Sequence, residues 1–161
     1  SAEVAAGFDI YDAARAPGHS GMGTTLSANP LQFAAMRATL DALMTEENYA
    51  HMERLAQRLE AGLSAAIAKH KLPWHVARVG ARVEFICAPG PLRNGIAAEA
   101  AHAPALEQAL HLALLNRGCL IAPFHNMMLV SPATTARQVE SLCMAFEAAV
   151  ASLALGRFDV P

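Results

Sequence analysis

The sequence predicts a small α+β domain, a mainly antiparallel sheet covered by helices on one face. Three patterns predict it. Met52, Leu55, Leu59, Leu63 and Ile67 recur every three or four residues, the repeat of an amphipathic helix. Val83, Phe85 and Cys87 alternate with Arg82, Glu84 and Ile86 just after Gly80, the repeat of a half-buried strand. Leu142, Phe146 and Val150 form a second helical stripe towards the end of the chain.

The elements follow in order. Residues 1–21 are mostly small residues and turn formers with no clear strand or amphipathic helix, and read as connecting loops that lie against another body. A folding unit that begins upstream of Ser1 is therefore expected. Asn29-Pro30 is a helix start, because Asn caps free N–H groups and Pro suits the first helical position. Phe33, Met36, Leu40 and Leu43 continue that helix to about Met44. Thr45-Glu46-Glu47-Asn48 restarts one, with acidic side chains at its positive end. It ends near Lys69–Leu72, stopped by Pro73.

Trp74 to Ala88 then gives two short strands, or one bent at Gly80. Pro89-Gly90-Pro91 ends the second, and Leu92 to Ala103 reads as a surface loop. Pro104 to Asn116 is helical, with Leu106, Leu110 and Leu114 in register and Gly118 closing it. Cys119–Ala122 and Met127–Val130 read as short apolar strands. Ser131-Pro132-Ala133-Thr134-Thr135 leads into the last helix, which runs to about Leu155. A single core is expected to join Leu55, Leu59, Leu63, Phe85, Leu110, Leu129, Leu142 and Phe146.

Composition narrows the function classes. Of the 161 residues, 54 % are apolar and 16 % charged, so a substantial core can be buried. The net charge is −2 with no basic block, which argues against nucleic acid or an anionic membrane as the main partner. No apolar run approaches the ~20 residues of a membrane-spanning helix. Cys87, Cys119 and Cys143 are far apart and lack C-x-x-C spacing. They read as free thiols in a reducing compartment, with a structural disulfide as the alternative. A cytoplasmic protein follows.

The stretch GHSGMGTTLSANP at 18–30 narrowly misses two motifs. It has P-loop glycine spacing, but Thr24 stands where the phosphate-reaching lysine belongs. It begins like a nucleophile elbow around Ser20, but Met22 replaces the last glycine and no strand precedes it. A glycine-rich connector whose hydroxyls cap the next helix explains it equally well. So does a phosphate contact made by a threonine hydroxyl and neighbouring backbone N–H groups.

Thr25-Leu26-Ser27-Ala28-Asn29-Pro30, followed by a helix of small residues, closely resembles the G-T-x-S-G-N-P segment of class III (subgroup II) aminotransferases. These pyridoxal-phosphate enzymes include glutamate-1-semialdehyde aminomutase and the omega- and beta-amino-acid transaminases. The resemblance continues through R-V-G-A-R-V-E-F at 78–85, L-L-N-R-G at 114–118 and S-P-A-T-T at 131–135. Ala28 departs from it, standing in place of the usual glycine.

That resemblance implies an α/β protein of the fold-type I class. Residues 1–44 would be the end of the cofactor-binding large domain, and 45–161 the C-terminal small domain. It implies a homodimer in which Thr25 reaches across the interface to the partner's cofactor phosphate, with Thr24 adding backbone contact. The family's Schiff-base lysine and the aspartate for the pyridine nitrogen would lie upstream of Ser1. Lys69 and Lys71, at the end of a surface helix, have no desolvated pocket to make either a nucleophile, so the chain alone is expected to be inactive.

His125 and Asn126 read either as a polar turn or, by the resemblance, as residues facing a substrate carboxylate. Arg82 is a second carboxylate candidate, though an exposed strand arginine explains it better. His19 and Ser20 lie near Thr25, and loop solvation explains them equally well. The other histidines share no ligand face, so no metal site is expected. The function implied is transfer of an amino group between an amino acid or amine and a keto acid or aldehyde. The alternatives are a 2,1-aminomutase, a non-catalytic dimerisation domain, and a hydrolase using Ser20.

Overall fold

Asn29 does what its position predicts. Its side chain accepts from the Gln32 N–H at 3.0 Å while the Gln32 side chain accepts from the Asn29 N–H, a reciprocal capping box ahead of Pro30. The computed structural model in which this is seen describes residues 2–7, 28–122 and 126–154. The chain divides into two units, Ser1–Leu43 and Met44–Pro161.

In the first unit residues 2–7, expected among connecting loops, form helix α1, since Ala2, Ala5 and Ala6 favour helix, and Pro30–Ala42 form α2. No residue of α2 is buried; Leu31, Phe33, Met36 and Leu40 are all exposed. Its capping box and Pro30 are local signals that start this helix. Just before it, Ala28 holds φ at 59°, the left-handed region where a Cβ is crowded. The glycine that the resemblance leads one to expect here would take that conformation freely.

The second unit is built on helix α3, Glu46–Lys69. Thr45 caps it by accepting from the Asn48 N–H at 3.3 Å. Its exit is a Schellman motif: Leu72 N–H reaches Ile67 O, Lys71 N–H reaches Ala68 O, and Lys71 takes φ 52°. Strands β1, His75–Val79, and β2, Arg82–Ile86, pair antiparallel across Gly80, whose φ is 56°. Two strands, rather than one bent strand, is thus the observed form.

Leu92–Ala103, expected as a loop, contains helix α4, Gly95–Ala100. Asn94 caps it by accepting from the Ala97 N–H at 2.8 Å, and the alanine-rich run behind that cap favours a helical turn. Helix α5, Pro104–Leu115, follows and ends at Gly118, φ 79°, with Cys119 N–H bonded to Leu114 O.

Cys119–Ala122 is not a strand. It has no ladder partner among the described residues, and buries Ile121 instead. Strand β3, Met127–Leu129, pairs antiparallel with β2, giving the order β1-β2-β3. Helix α6, Ala136–Ala154, completes the unit behind a second capping box between Thr135 and Gln138.

Helix α3 packs on β1 and β2, α6 packs on α3, and α5 on α6. Val83 and Phe85 point inward from β2, and Phe85 meets Phe146 of α6 with ring centroids 4.8 Å apart. Leu55, Leu59, Leu63, Leu110 and Phe146 join them in one core, with Leu142 partly buried against it. Leu129 does not: it is 68 % exposed while Met128 is 8 % exposed. Alternation along a three-residue strand admits only its middle side chain. Across the seam, Arg58 pairs with Glu140, Lys69 with Glu147, and Arg78 with Glu60 at 2.6 Å.

Candidate functional site

Of the residues expected to carry chemistry, Thr24, Thr25, His19, Ser20 and His125 lie outside the described residues. Asn126 and Arg82 lie within them, and the fold brings the two to one cleft of about 290 Å³. Its walls are the outer side of β2, Leu92, the α4–α5 corner and the residue before β3.

The register explains each position. Arg82 and Glu84 are two apart on β2, so both leave the sheet on the side opposite Val83 and Phe85. Arg82 Nη2 donates to Glu84 Oε2 at 2.9 Å, which occupies the guanidinium without burying it; its side chain is 51 % exposed. The exposed-strand reading of Arg82 agrees with this geometry. Asn126 comes next to β3, and its carbonyl accepts the Phe85 N–H at 3.3 Å, continuing the β2–β3 ladder by one bond. That tie buries the residue to 8 % exposure. Its side-chain amide lines the cleft and has no hydrogen-bond partner among the described residues.

Sequence reading missed the opposite wall. Glu107 stands in the first turn of α5, where the helix dipole favours a carboxylate. Its Oε1 accepts the Ala103 N–H at 3.2 Å, and its Oε2 lies 3.8 Å from His102 Nδ1. The available signal was the Ala-Pro-Ala-Leu-Glu helix start. That start is legible as a helix, but with 92–103 expected as loop nothing in the sequence turns Glu107 towards β2.

Neighbouring Cys87 is no nucleophile. Burial first, and the charge of Glu107 second, push its thiol from 9.0 up to about 12, so it stays protonated at neutral pH. Cys119 and Cys143 are also raised by burial, and all three cysteines are free. Among the described residues no group of His, Cys, Asp or Glu is arranged to hold a metal. No described helix is long and apolar enough to cross a membrane.

Neither lysine offers a covalent anchor for a carbonyl cofactor. Lys69 Nζ is paired with Glu147, whose carboxyl it holds below the usual range by hydrogen bond and charge. Lys71 is exposed at the turn that follows. The described residues do not by themselves fit such a group.

Comparison with known proteins identifies the lineage. The family model for class-III aminotransferases matches residues 2–150. Glutamate-1-semialdehyde 2,1-aminomutase 1 of Bacillus cereus is 34 % identical over 131 residues, which cover 80 % of this chain and 30 % of that protein. The crystal structure of a glutamate-1-semialdehyde aminomutase from Pseudomonas aeruginosa, in complex with PMP, aligns at a TM-score of 0.78 and 48 % identity. It covers 87 % of this chain and 31 % of that one. A beta-phenylalanine aminotransferase from Variovorax paradoxus aligns at 0.64 and 26 % identity, covering 97 % of this chain and 34 % of its own. The chain thus spans about a third of the length of the relatives it matches, with the α/β fold of their kind. It belongs to the class-III aminotransferase family.

Proposed function

We propose that this chain is the C-terminal portion of a pyridoxal-phosphate-dependent aminotransferase, a cytoplasmic homodimer that moves an amino group between an amino acid or amine and a keto acid or aldehyde. The observation that carries the reading is the family match over residues 2–150. Residues 1–44 are assigned to the end of the cofactor-binding domain and 45–161 to the small domain. The cofactor, when bound, withdraws electrons from the carbon that carries the amino group. This chain's part is to hold and to enclose. Thr25, with backbone help from Thr24, is assigned to the phosphate of the partner's cofactor, and His125 and Asn126 to the substrate. The open amide of Asn126 supports the last assignment. The occupied Lys69 supports a Schiff-base lysine elsewhere in the enzyme, so that the chain alone is inactive. The free cysteines suit a reducing compartment.

A second reading, the 2,1-aminomutase, is favoured by the Bacillus and Pseudomonas relatives. Product analysis separates the two: an aminomutase needs no external acceptor.

The test of the main reading is made in the complete enzyme. A threonine hydroxyl on a phosphate is a charge-assisted hydrogen bond worth roughly 1.5–3 kcal/mol. Thr25→Ala therefore weakens cofactor binding about ten- to a hundredfold. Thr25→Ser loses much less, and Ser20→Ala leaves the cofactor in place. Cofactor dissociation constants, measured by fluorescence at several protein concentrations, also show whether dilution of the dimer releases the cofactor. Thr25→Ala binding like the parent, with Ser20→Ala inactive, overturns the reading in favour of the hydrolase.

A further inference from the structure

The cleft between β2 and the α4–α5 corner has a charge that a carboxylate-binding site would not have. One guanidinium, Arg82, faces two carboxylates, Glu84 and Glu107, and Arg82 is already paired with Glu84. The cleft's two carboxylates outnumber its one guanidinium. Glu107 is the unspent group: its side chain is only 19 % exposed, yet its nearest cationic candidate, His102 Nδ1, stands at 3.8 Å, beyond hydrogen-bond length. One oxygen has its bond to the Ala103 N–H and the other keeps acceptor capacity.

A second observation is independent of charge. Asn126 is 8 % exposed and lines the same cleft with an amide that has no partner among the described residues. The amide atoms are not buried orphans, as His70 Nε2 and His111 Nδ1 are; they keep access to the cleft, where a ligand can supply the missing bond. The remaining lining is apolar, with Ile86 and Leu92 able to hold methylene groups. At about 290 Å³ the cleft lies at the small end of ligand sites and suits a short chain.

We propose that this cleft binds the ammonium end of a short alkyl amine, with Glu107 as counter-ion, Oδ1 of the Asn126 side chain as a further acceptor and the apolar wall along the chain. The proposal rests on the reading of Asn126 as substrate-facing, but replaces the carboxylate implied by the resemblance with an amino group at the end held by the small domain.

The experiment uses the full 161-residue chain and amide-resolved NMR titration with three probes: n-pentylamine, 1-pentanol and glutarate. Pentylamine is expected to shift the Phe85, Glu107 and Asn126 signals saturably, and glutarate to leave them in place. Pentanol, which lacks the charge, binds at least tenfold more weakly than pentylamine. Glu107→Gln loses about tenfold in pentylamine affinity, the value of one charge-assisted hydrogen bond. Arg82→Gln, which removes the competing cation, tightens it. Glutarate binding as well as pentylamine, no saturable pentylamine shift, or a folded Glu107→Gln chain with undiminished affinity overturns the proposal. Should Glu107→Gln not fold, the three probes on the parent chain and the Arg82→Gln titration still decide. No cofactor enters this assay, so its failure leaves the Thr25 result standing, and the converse also holds.

Discussion

Ala28 shows how a single residue can hold a conformation that its side chain opposes. Its φ of 59° places the Cβ against the following carbonyl, a cost of roughly 1–2 kcal/mol for a residue other than glycine. The turn is nevertheless needed, because it delivers Asn29 in extended geometry to cap α2. Ala28→Gly is therefore expected to strengthen the start of α2 by about 1 kcal/mol, the steric relief exceeding the added chain entropy. Cα chemical shifts over Gln32–Met36 check it; a fall in helicity would mean that the left-handed turn is not what precedes the helix. Lys71 tolerates the same region at the exit of α3, where two Schellman hydrogen bonds and the partly buried Leu72 hold it. These positions bracket helices whose ends were readable from Asn-Pro, Thr-Glu-Glu and Pro73.

At the scale of elements, the long helices were legible because their signals are local and repeated over many turns, whereas the six-residue helices α1 and α4 fell in stretches that read as loops. Caps at Asn29, Thr45 and Thr135 and the stripe from Met52 to Ile67 each concern residues close in sequence. Short apolar runs were harder to separate: Met127–Leu129 is a strand as expected, and Cys119–Ala122 is not. A four-residue apolar run such as Cys119–Ala122 has no partner written into it, and which residue of Met127–Leu129 turns inward depends on pairing with β2. The contrast predicts stabilities. Leu63→Ala and Phe85→Ala each remove a fully buried side chain and should cost roughly 2–5 kcal/mol. Leu129→Ala, on an exposed side chain, should stay within about 0.5 kcal/mol. Urea denaturation of the three variants measures this, and a comparable loss at Leu129 would contradict the register of β3.

For the second unit as a whole, stability is tied to pH through its thiols. Cys87 keeps its proton to about pH 12 when folded, against 9.0 ordinarily, because burial and then Glu107 disfavour the thiolate. The unfolded chain loses that proton sooner. Stability is thus fully present below pH 9 and falls as pH climbs from 9 towards 12. Cys119 and Cys143 shift the same way and add to the same alkaline limb. Urea midpoints taken from neutrality upward should be flat to pH 9 and then decline, and Cys87→Ala should flatten the decline more than either other cysteine variant. An unchanged slope in Cys87→Ala would assign the alkaline limb to other groups.

The sequence by itself determined the four longer helices, the hairpin around Gly80, most of the core and the family, because caps, periodicities and the Thr25–Pro30 segment are all contained in short stretches of chain. It also singled out Asn126. What it did not contain was the company Asn126 keeps. Glu84, His102 and Glu107 come from β2, the α4–α5 corner and the first turn of α5, and they form one acidic cleft only because α4 folds where a loop was expected and Asn126 continues the β2–β3 ladder. A cleft's charge is a sum over residues distant in sequence and near in space, and only the tertiary structure decides which residues enter that sum.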